Sequence, residues 1–256
     1  MSRRLALRLA YDGTDFHGFQ RQGERPTIQL ALEQALAKLA GRPVRVVAAG
    51  RTDAGVHAAG QVVHCDFDRP IPVDRLPLAL NSLLPPDIVV YECREVAPDF
   101  HAQFDATGKV YRYSILHSPH PWPFLRRYVL HHPEPLAWDR IQACVPYLRG
   151  RRDFASFQSS GREAASTVRT LRRLEIQKQA MDWGTIMHLI FEADGFLYRM
   201  VRNIVGTLLE VGRGRRPPRW VAEVLEARDR RAAGPTAPAH GLTLQEVHYP
   251  PGKGIP

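Results

Sequence analysis

The sequence predicts an α+β protein made of two β-α-β-β-α-β halves of ferredoxin-like type, each with an antiparallel sheet, joined around a central basic cleft. Three observations carry this prediction. Runs of strand period and helical period follow one another in the same order twice. Cap and stop residues punctuate them, Thr27, Gly41, Pro85-Pro86 and Gly212 among them. The 256 residues are enough for two domains, divided near residue 105 into 1–105 and 106–256.

The first half opens with a strand over Arg4 to Ala10, where leucines alternate with other residues. Pro26-Thr27 starts a helix that runs to about Ala40, with Thr27 as its N-cap and Gly41 as its stop. Strands are expected at about 44–49 and 60–67. Asp74 to Leu84 reads as a helix despite Pro77, and Ile88 to Val96 as a strand. In the second half, Thr107 to Leu116 is strand-like and Leu136 to Leu148 helical. Strands follow at Thr167 to Gln177 and Thr185 to Glu192. Leu197 to Val211 has a helical stripe of Leu197, Met200, Val201, Ile204 and Leu208. Pro218 to Ala227 is an added helix with proline at its start, residues 228–240 form a linker-like loop, and Leu242 to Tyr249 is a closing strand.

Composition narrows the function classes. No run approaches the roughly 18 apolar residues of a membrane span, and no signal peptide is evident. The three cysteines, Cys65, Cys93 and Cys144, are far apart and odd in number, which argues against a disulfide framework or structural zinc and for a reducing cytoplasm. The formal net charge is +9, with 31 arginines and only 4 lysines. Arginine grips phosphate in two places and stacks on bases, so the charge favours nucleic acid. Genome composition or heat adaptation is the plainer explanation, since Asn occurs only twice.

The densest chemistry is Gly50-Arg51-Thr52-Asp53-Ala54-Gly55-Val56-His57-Ala58, between two strand-like runs. Asp53 can be a nucleophile, a base, or the cap of a turn. In an extended segment Arg51 would share its face and stabilise the ionised carboxylate, which suits a nucleophile or base better than an acid. The loop Tyr11 to Gln22 mixes aromatics, polar groups and glycines, and is either an RNA contact or a packed turn. Lys109, Tyr111 and Tyr113 lie on one strand face, as a base-stacking platform or as core tyrosines. Arg199 and Arg202 share a helix face. Arg202 either reaches a catalytic carboxylate or belongs to an exposed stripe. Arginine patches (Arg126-Arg127, Arg149 to Arg152, Arg172-Arg173, Arg213 to Arg219) are each a solvated face alone and together an RNA track. His117 with His120, or His131-His132, could suggest a metal, but the H-E-x-x-H pattern is absent and no cysteine is suitably placed, and there is no P-loop for an NTP site, so no metal or nucleotide is expected. A glycoside hydrolase would need a second carboxylate facing Asp53, for which Asp66 and Asp68 are the nearest candidates.

The 50–58 loop resembles the signature of the tRNA pseudouridine synthase A family. Tyr11 to Gln20, Phe100 to Tyr113, Asp153 to Phe157, Gly195 to Gly206 and Pro238 to Leu244 resemble further motifs of that family, in order along most of the chain. Gln103, Asp194 and Thr243 depart from its pattern, where arginine, asparagine and tyrosine are usual. The resemblance implies the pseudouridine synthase fold and isomerisation of uridine to pseudouridine at positions 38, 39 and 40 of the tRNA anticodon stem-loop, without a cofactor. It implies Asp53 as nucleophile, Tyr111 stacked on the uracil, Arg202 paired with Asp53 and Arg51 in the space the base leaves. Leu242 would wall the pocket, and His57 completes the substrate-binding set. It also implies a cytoplasmic homodimer. A non-catalytic basic RNA-binding protein is the alternative.

Overall fold

The computed structural model describes residues 2–161 and 164–255. They form two compact units, residues 1–109 with 243–256, and residues 110–242. Along the chain lie β1 (Arg3–Tyr11), α1 (Ile28–Ala40), β2 (Val47–Ala48), β3 (His57–Phe67), α2 (Leu76–Asn81) and β4 (Ile88–Glu95). Next come β5 (Gly108–His117), β6 (Leu130–His131), α3 (Trp138–Gln142), α4 (Val145–Leu148) and β7 (Gly150–Asp153). The remainder is β8 (Val168–Met181), β9 (Gly184–Ala193), α5 (Met200–Gly212), α6 (Trp220–Ala227) and β10 (Leu242–His248). This is a mixed α+β protein whose strands pair mostly antiparallel. Among the described residues no helix is long and apolar enough to cross a membrane.

In the first unit β1 is central, antiparallel to both β3 and β4. Its alternate residues Leu5, Leu7 and Leu9 are fully buried. Leu32 and Leu36 of α1, four residues apart on one helix face, are fully buried as well. The α1 ends match the expectation: Thr27 accepts from the Leu30 amide at 3.3 Å, and Gly41 closes the helix at φ 71°. One edge of β3 is shared by two partners. Val47 and Ala48 of β2 pair antiparallel with His64 and Val63, while Thr243 and Leu244 of β10 pair parallel with His57 and Ala58. Gly60 lets β10 approach, since a Cβ there would lie 2.3 Å from the Gln245 carbonyl oxygen.

One expectation needs correction in this unit. The strand expected over 44–49 is only two residues long. Side chains of α1 take up the Val46 backbone instead: Gln29 Nε2 donates to its carbonyl at 3.2 Å, and its amide donates to Glu33 Oε1 at 3.1 Å. The closing strand expected over 242–249 forms as β10, and in the sheet order it stands between β3 and β5.

In the second unit the sheet order is β5-β9-β8-β7, with β6 parallel to β5. The apolar stripe of α5 is buried, Ile204 and Val205 completely. The helix expected over 136–148 is broken into α3 and α4, because Pro146 near the start of α4 has no amide hydrogen for the helical ladder. Arg151 and Arg152, read only as a charge patch, belong to the edge strand β7, where exposed charge discourages pairing with another chain. The segment 228–240 is not a slack linker. Asn203 Oδ1 accepts from Arg230 (3.2 Å) and from the Thr236 hydroxyl (2.7 Å), and Thr207 Oγ1 accepts from the Gly234 amide at 2.9 Å.

Candidate active site

Asp53 sits in the loop between β2 and β3, half-buried, between exposed Arg51 and Ala54 and beside buried Thr52. Both peptides around it are held. The Thr52 carbonyl accepts from the Phe19 amide at 3.1 Å, and the Asp53 carbonyl accepts from the Val56 amide at 3.1 Å. The second bond closes a tight turn with Gly55 at φ 75°, a conformation that favours glycine. Asp53 therefore helps close a turn through its backbone carbonyl. With both flanking peptides fixed, the direction of its Cα–Cβ bond is fixed too.

The loop that follows β1 supplies much of this bracing. Gly18, at φ 84°, packs so closely that a Cβ would lie 2.7 Å from the Thr52 oxygen. Gly13 packs against Val56, where a Cβ would lie 2.1 Å from the carbonyl oxygen. The Tyr11 hydroxyl lies 2.8 Å from Thr52 Oγ1, and Gln61 Nε2 donates to Tyr11 Oη at 3.3 Å and to the Gly50 carbonyl at 2.8 Å. Burial pushes the Tyr11 phenol up to about 12, against the lowering effect of its Thr52 and Gln61 hydrogen bonds. Of the 11–22 segment, Tyr11, Gly13, Gly18 and Phe19 are thus packed against the Asp53 loop. The sequence shows Tyr11 only as the head of a loop that contacts RNA or packs as a turn, and Gln61, at an ordinary strand position, carries no sign of this role there.

His57 is only 3% exposed. Its Nδ1 lies 3.1 Å from the Gly13 amide and 3.1 Å from Asp12 Oδ1. A ring nitrogen that accepts the amide proton has none to offer the carboxylate, so only one of these contacts is a hydrogen bond at a time. Either way His57 ties the start of β3 to the turn after β1.

The remaining predicted site residues lie in the second unit. Tyr111 on β5 is 7% exposed, and the half-buried Phe196 ring stands edge-on to it at 5.0 Å and 85°. Phe196 is a neighbour that sequence reasoning did not single out. Tyr113, two residues along, is fully buried and donates to the Pro238 carbonyl at 2.9 Å, while burial pushes its phenol well above the usual range. Arg202 on α5 donates through Nε to the Ala237 carbonyl at 2.8 Å, and the Ala237 amide donates back to the Arg202 carbonyl at 3.1 Å. Arg202 is thus partly buried and Arg199 exposed, so the two do not form one exposed stripe. Leu242, at the start of β10, is 6% exposed.

The other candidates are accounted for locally. Asp66 accepts from Arg4 at 2.9 and 3.0 Å, and this pairing holds its carboxyl below the usual range. Asp68 accepts from Arg42 at 2.7 Å with the same effect. Neither resembles the raised-pKa acid that a glycoside hydrolase needs. His132 accepts from Arg213 at Nε2 and so carries its proton on Nδ1, which donates to the Glu134 carbonyl at 2.8 Å. Among the described residues no group of three or more His, Cys, Asp or Glu is placed to hold a metal ion. Arg149, Arg151 and Arg152 are exposed, whereas Arg213 and Arg215 pair with Glu210. Of the departures, Gln103 is exposed, and Asp194 Oδ1 accepts from the Thr170 amide at 3.0 Å, bracing β8.

Comparison with known proteins covers nearly the whole chain. A family profile described as tRNA pseudouridine synthase matches residues 9–105 and 144–250. The protein named tRNA pseudouridine synthase A from Thermus thermophilus is 47% identical over 255 residues, 99% of this chain and 100% of that protein. Its namesake from Moorella thermoacetica is 47% identical over 247 residues, 96% of this chain and 99% of that protein. The one from Syntrophomonas wolfei is 46% identical over 247 residues, 96% and 98% of the two chains. Among solved structures, a chain of the "Crystal Structure of a Cbf5-Nop10-Gar1 Complex" is a remote likeness, with 12% identity and a TM-score of 0.35 over 96% of this chain and 58% of that one.

Proposed function

We propose that this chain, which belongs to the tRNA pseudouridine synthase family and is an isomerase acting on tRNA, works on uridines 38, 39 and 40 of the anticodon stem-loop with Asp53 as its nucleophile. The observation that carries the role of Asp53 is the bracing of both its flanking peptides in a loop where the residue is half-buried and not sealed from solvent. A nucleophile must be held against a substrate it has not yet met, and fixed backbone on both sides does this before binding.

The target uridine is stacked in the RNA, so it is first flipped out. The Asp53 carboxylate then adds to the flipped nucleotide, and the C1′–N1 bond breaks. The uracil turns, C5 bonds to C1′, the C5 proton leaves and N1 takes up a proton. The carboxylate is released, and the product is an isomer of the substrate with nothing gained or lost. No redox or nucleotide co-substrate enters this balance.

In this reading Tyr111 stacks on the uracil and assists removal of the C5 proton. Arg202 keeps the nucleophile ionised, Arg51 occupies the space the base vacates and Leu242 is an apolar wall. His57, buried against the turn after β1, contributes by holding the loop. Exposed arginines such as Arg149, Arg151 and Arg152 supply phosphate contacts, so binding weakens with salt. A cytoplasmic homodimer belongs to the same proposal and is supported by the family resemblance.

A pseudouridine map of unmodified tRNA treated with the protein tests the reading. New pseudouridine at 38–40 is the expected result. Modification elsewhere in the tRNA overturns the position, and none in any tRNA favours a non-catalytic RNA-binding protein.

A further inference from the structure

We propose that Tyr11 and Gln61 are positioning residues for the nucleophile, forming a buried hydroxyl–amide clamp on the two residues at either side of Arg51. The proposal rests on the reading of Asp53 as nucleophile.

The clamp has two points of attachment. Gln61 Nε2 donates to the Gly50 carbonyl at 2.8 Å and to Tyr11 Oη at 3.3 Å, and Tyr11 Oη in turn lies 2.8 Å from Thr52 Oγ1. Gly50 and Thr52 are therefore held by one connected set of hydrogen bonds, with exposed Arg51 between them. The Phe19 amide adds a third attachment at the Thr52 carbonyl, which is the peptide that leads into Asp53. Gln61 is 0% exposed, and Tyr11 and Thr52 are each 4% exposed, so water does not compete for these bonds.

Gln61 is a poor choice if filling space is its task. Its Oε1 is buried with no hydrogen-bond partner among the described residues. An apolar side chain of similar size would avoid that cost, so what the amide contributes is the pair of bonds its nitrogen donates. Both anchor residues lie on the central strand pair, β1 and β3, whose register sets Leu9 opposite Gln61 and Tyr11 opposite Ala58. The loop thus takes its position from the hydrogen-bonded β1–β3 pair.

The test compares Tyr11→Phe, Thr52→Val, Thr52→Ser, the Tyr11→Phe/Thr52→Val double variant and Asp53→Ala, using the full chain on a tRNA transcript. Turnover per folded molecule and KM are measured, with circular dichroism reporting folding. The clamp predicts that Tyr11→Phe and Thr52→Val each lose about tenfold or more in kcat, with KM changed by less than about threefold. Thr52→Ser keeps the hydroxyl and should restore most of the turnover. The double variant should be no worse than the poorer single one, because both remove the same bond. Normal turnover in both single variants, a loss confined to KM, or losses that multiply in the double variant overturn the clamp. If Tyr11→Phe does not fold, the Thr52→Val and Thr52→Ser pair decides alone. Activity in Asp53→Ala overturns the underlying reading. An inactive Asp53→Ala beside fully active clamp variants overturns only the clamp.

Discussion

The Phe19 amide donates to the Thr52 carbonyl at 3.1 Å, and the peptide it grips is the one that enters Asp53. Gly18 permits that approach through its φ of 84° and its missing Cβ, which would stand 2.7 Å from the Thr52 oxygen. Gly18→Ala should therefore displace the loop. A misplacement on the order of 1 Å costs about 100-fold in turnover, and the left-handed backbone alone costs an L-residue about 1–2 kcal/mol. Steady-state kinetics with a melting curve checks both effects. A folded variant with wild-type kcat contradicts the bracing.

His64 makes the stability of the first unit sensitive to acid. It is only 6% exposed and accepts from the Ala102 amide at 3.0 Å. Burial, with the neighbouring His101 and Arg4, pulls its imidazole down to about 4. Between the unfolded value near 6.5 and this folded value, the unfolded chain binds a proton that the folded one refuses, so stability falls as pH falls through that window. At about 1.4 kcal/mol per unit the loss is about 3 kcal/mol by pH 4. His64→Asn, which keeps an acceptor for Ala102 and cannot titrate, should flatten this part of the profile. Urea midpoints at pH 7 and pH 4.5 measure it, and an equally steep fall in the variant would exclude His64 as the cause.

Gly206 and Pro235 hold the 228–240 segment against α5. A Cβ on Gly206 would lie 1.6 Å from the Pro235 carbonyl oxygen. In an open helix, Gly→Ala gains about 1 kcal/mol, but here the added methyl meets backbone, so Gly206→Ala should instead lose about 3 kcal/mol. It should also loosen the Arg202–Ala237 hydrogen bonds, two residues beyond Pro235. Thermal melting gives the first effect and turnover the second. An unchanged melting temperature would mean that the segment yields without cost.

The sequence revealed what local chemistry dictates and missed what distant side chains supply. Thr27 and Gly41 marked the ends of α1 because caps act within one turn. The Asp53 loop stood out because its glycines and charges are adjacent in the chain. The strand expected over 44–49 failed because Gln29 and Glu33, on a helix, satisfy the Val46 backbone. Residues 228–240 looked slack because their Arg, Ala, Gly and Pro composition shows no periodicity and does not reveal that Arg230 and Thr236 have a distant partner. That partner is Asn203 of α5, and Thr207 of the same helix accepts from the Gly234 amide. Gln61 stayed hidden because a strand's period says which face a side chain takes and not what its polar atom reaches, and Tyr11 reads as part of a loop without its partners Thr52 and Gln61. The pairing of β10 with β3 joins residues almost 200 positions apart, which no local pattern records.

The most direct measurement is pseudouridine formation in tRNA by Asp53→Ala beside the wild-type chain, with tRNA affinity determined for both. The predicted result is pseudouridine from the wild type, none from the variant, and affinities within about threefold, since phosphate contacts carry most of the binding. Pseudouridine made by Asp53→Ala at the wild-type rate would contradict the assignment of Asp53 as the nucleophile.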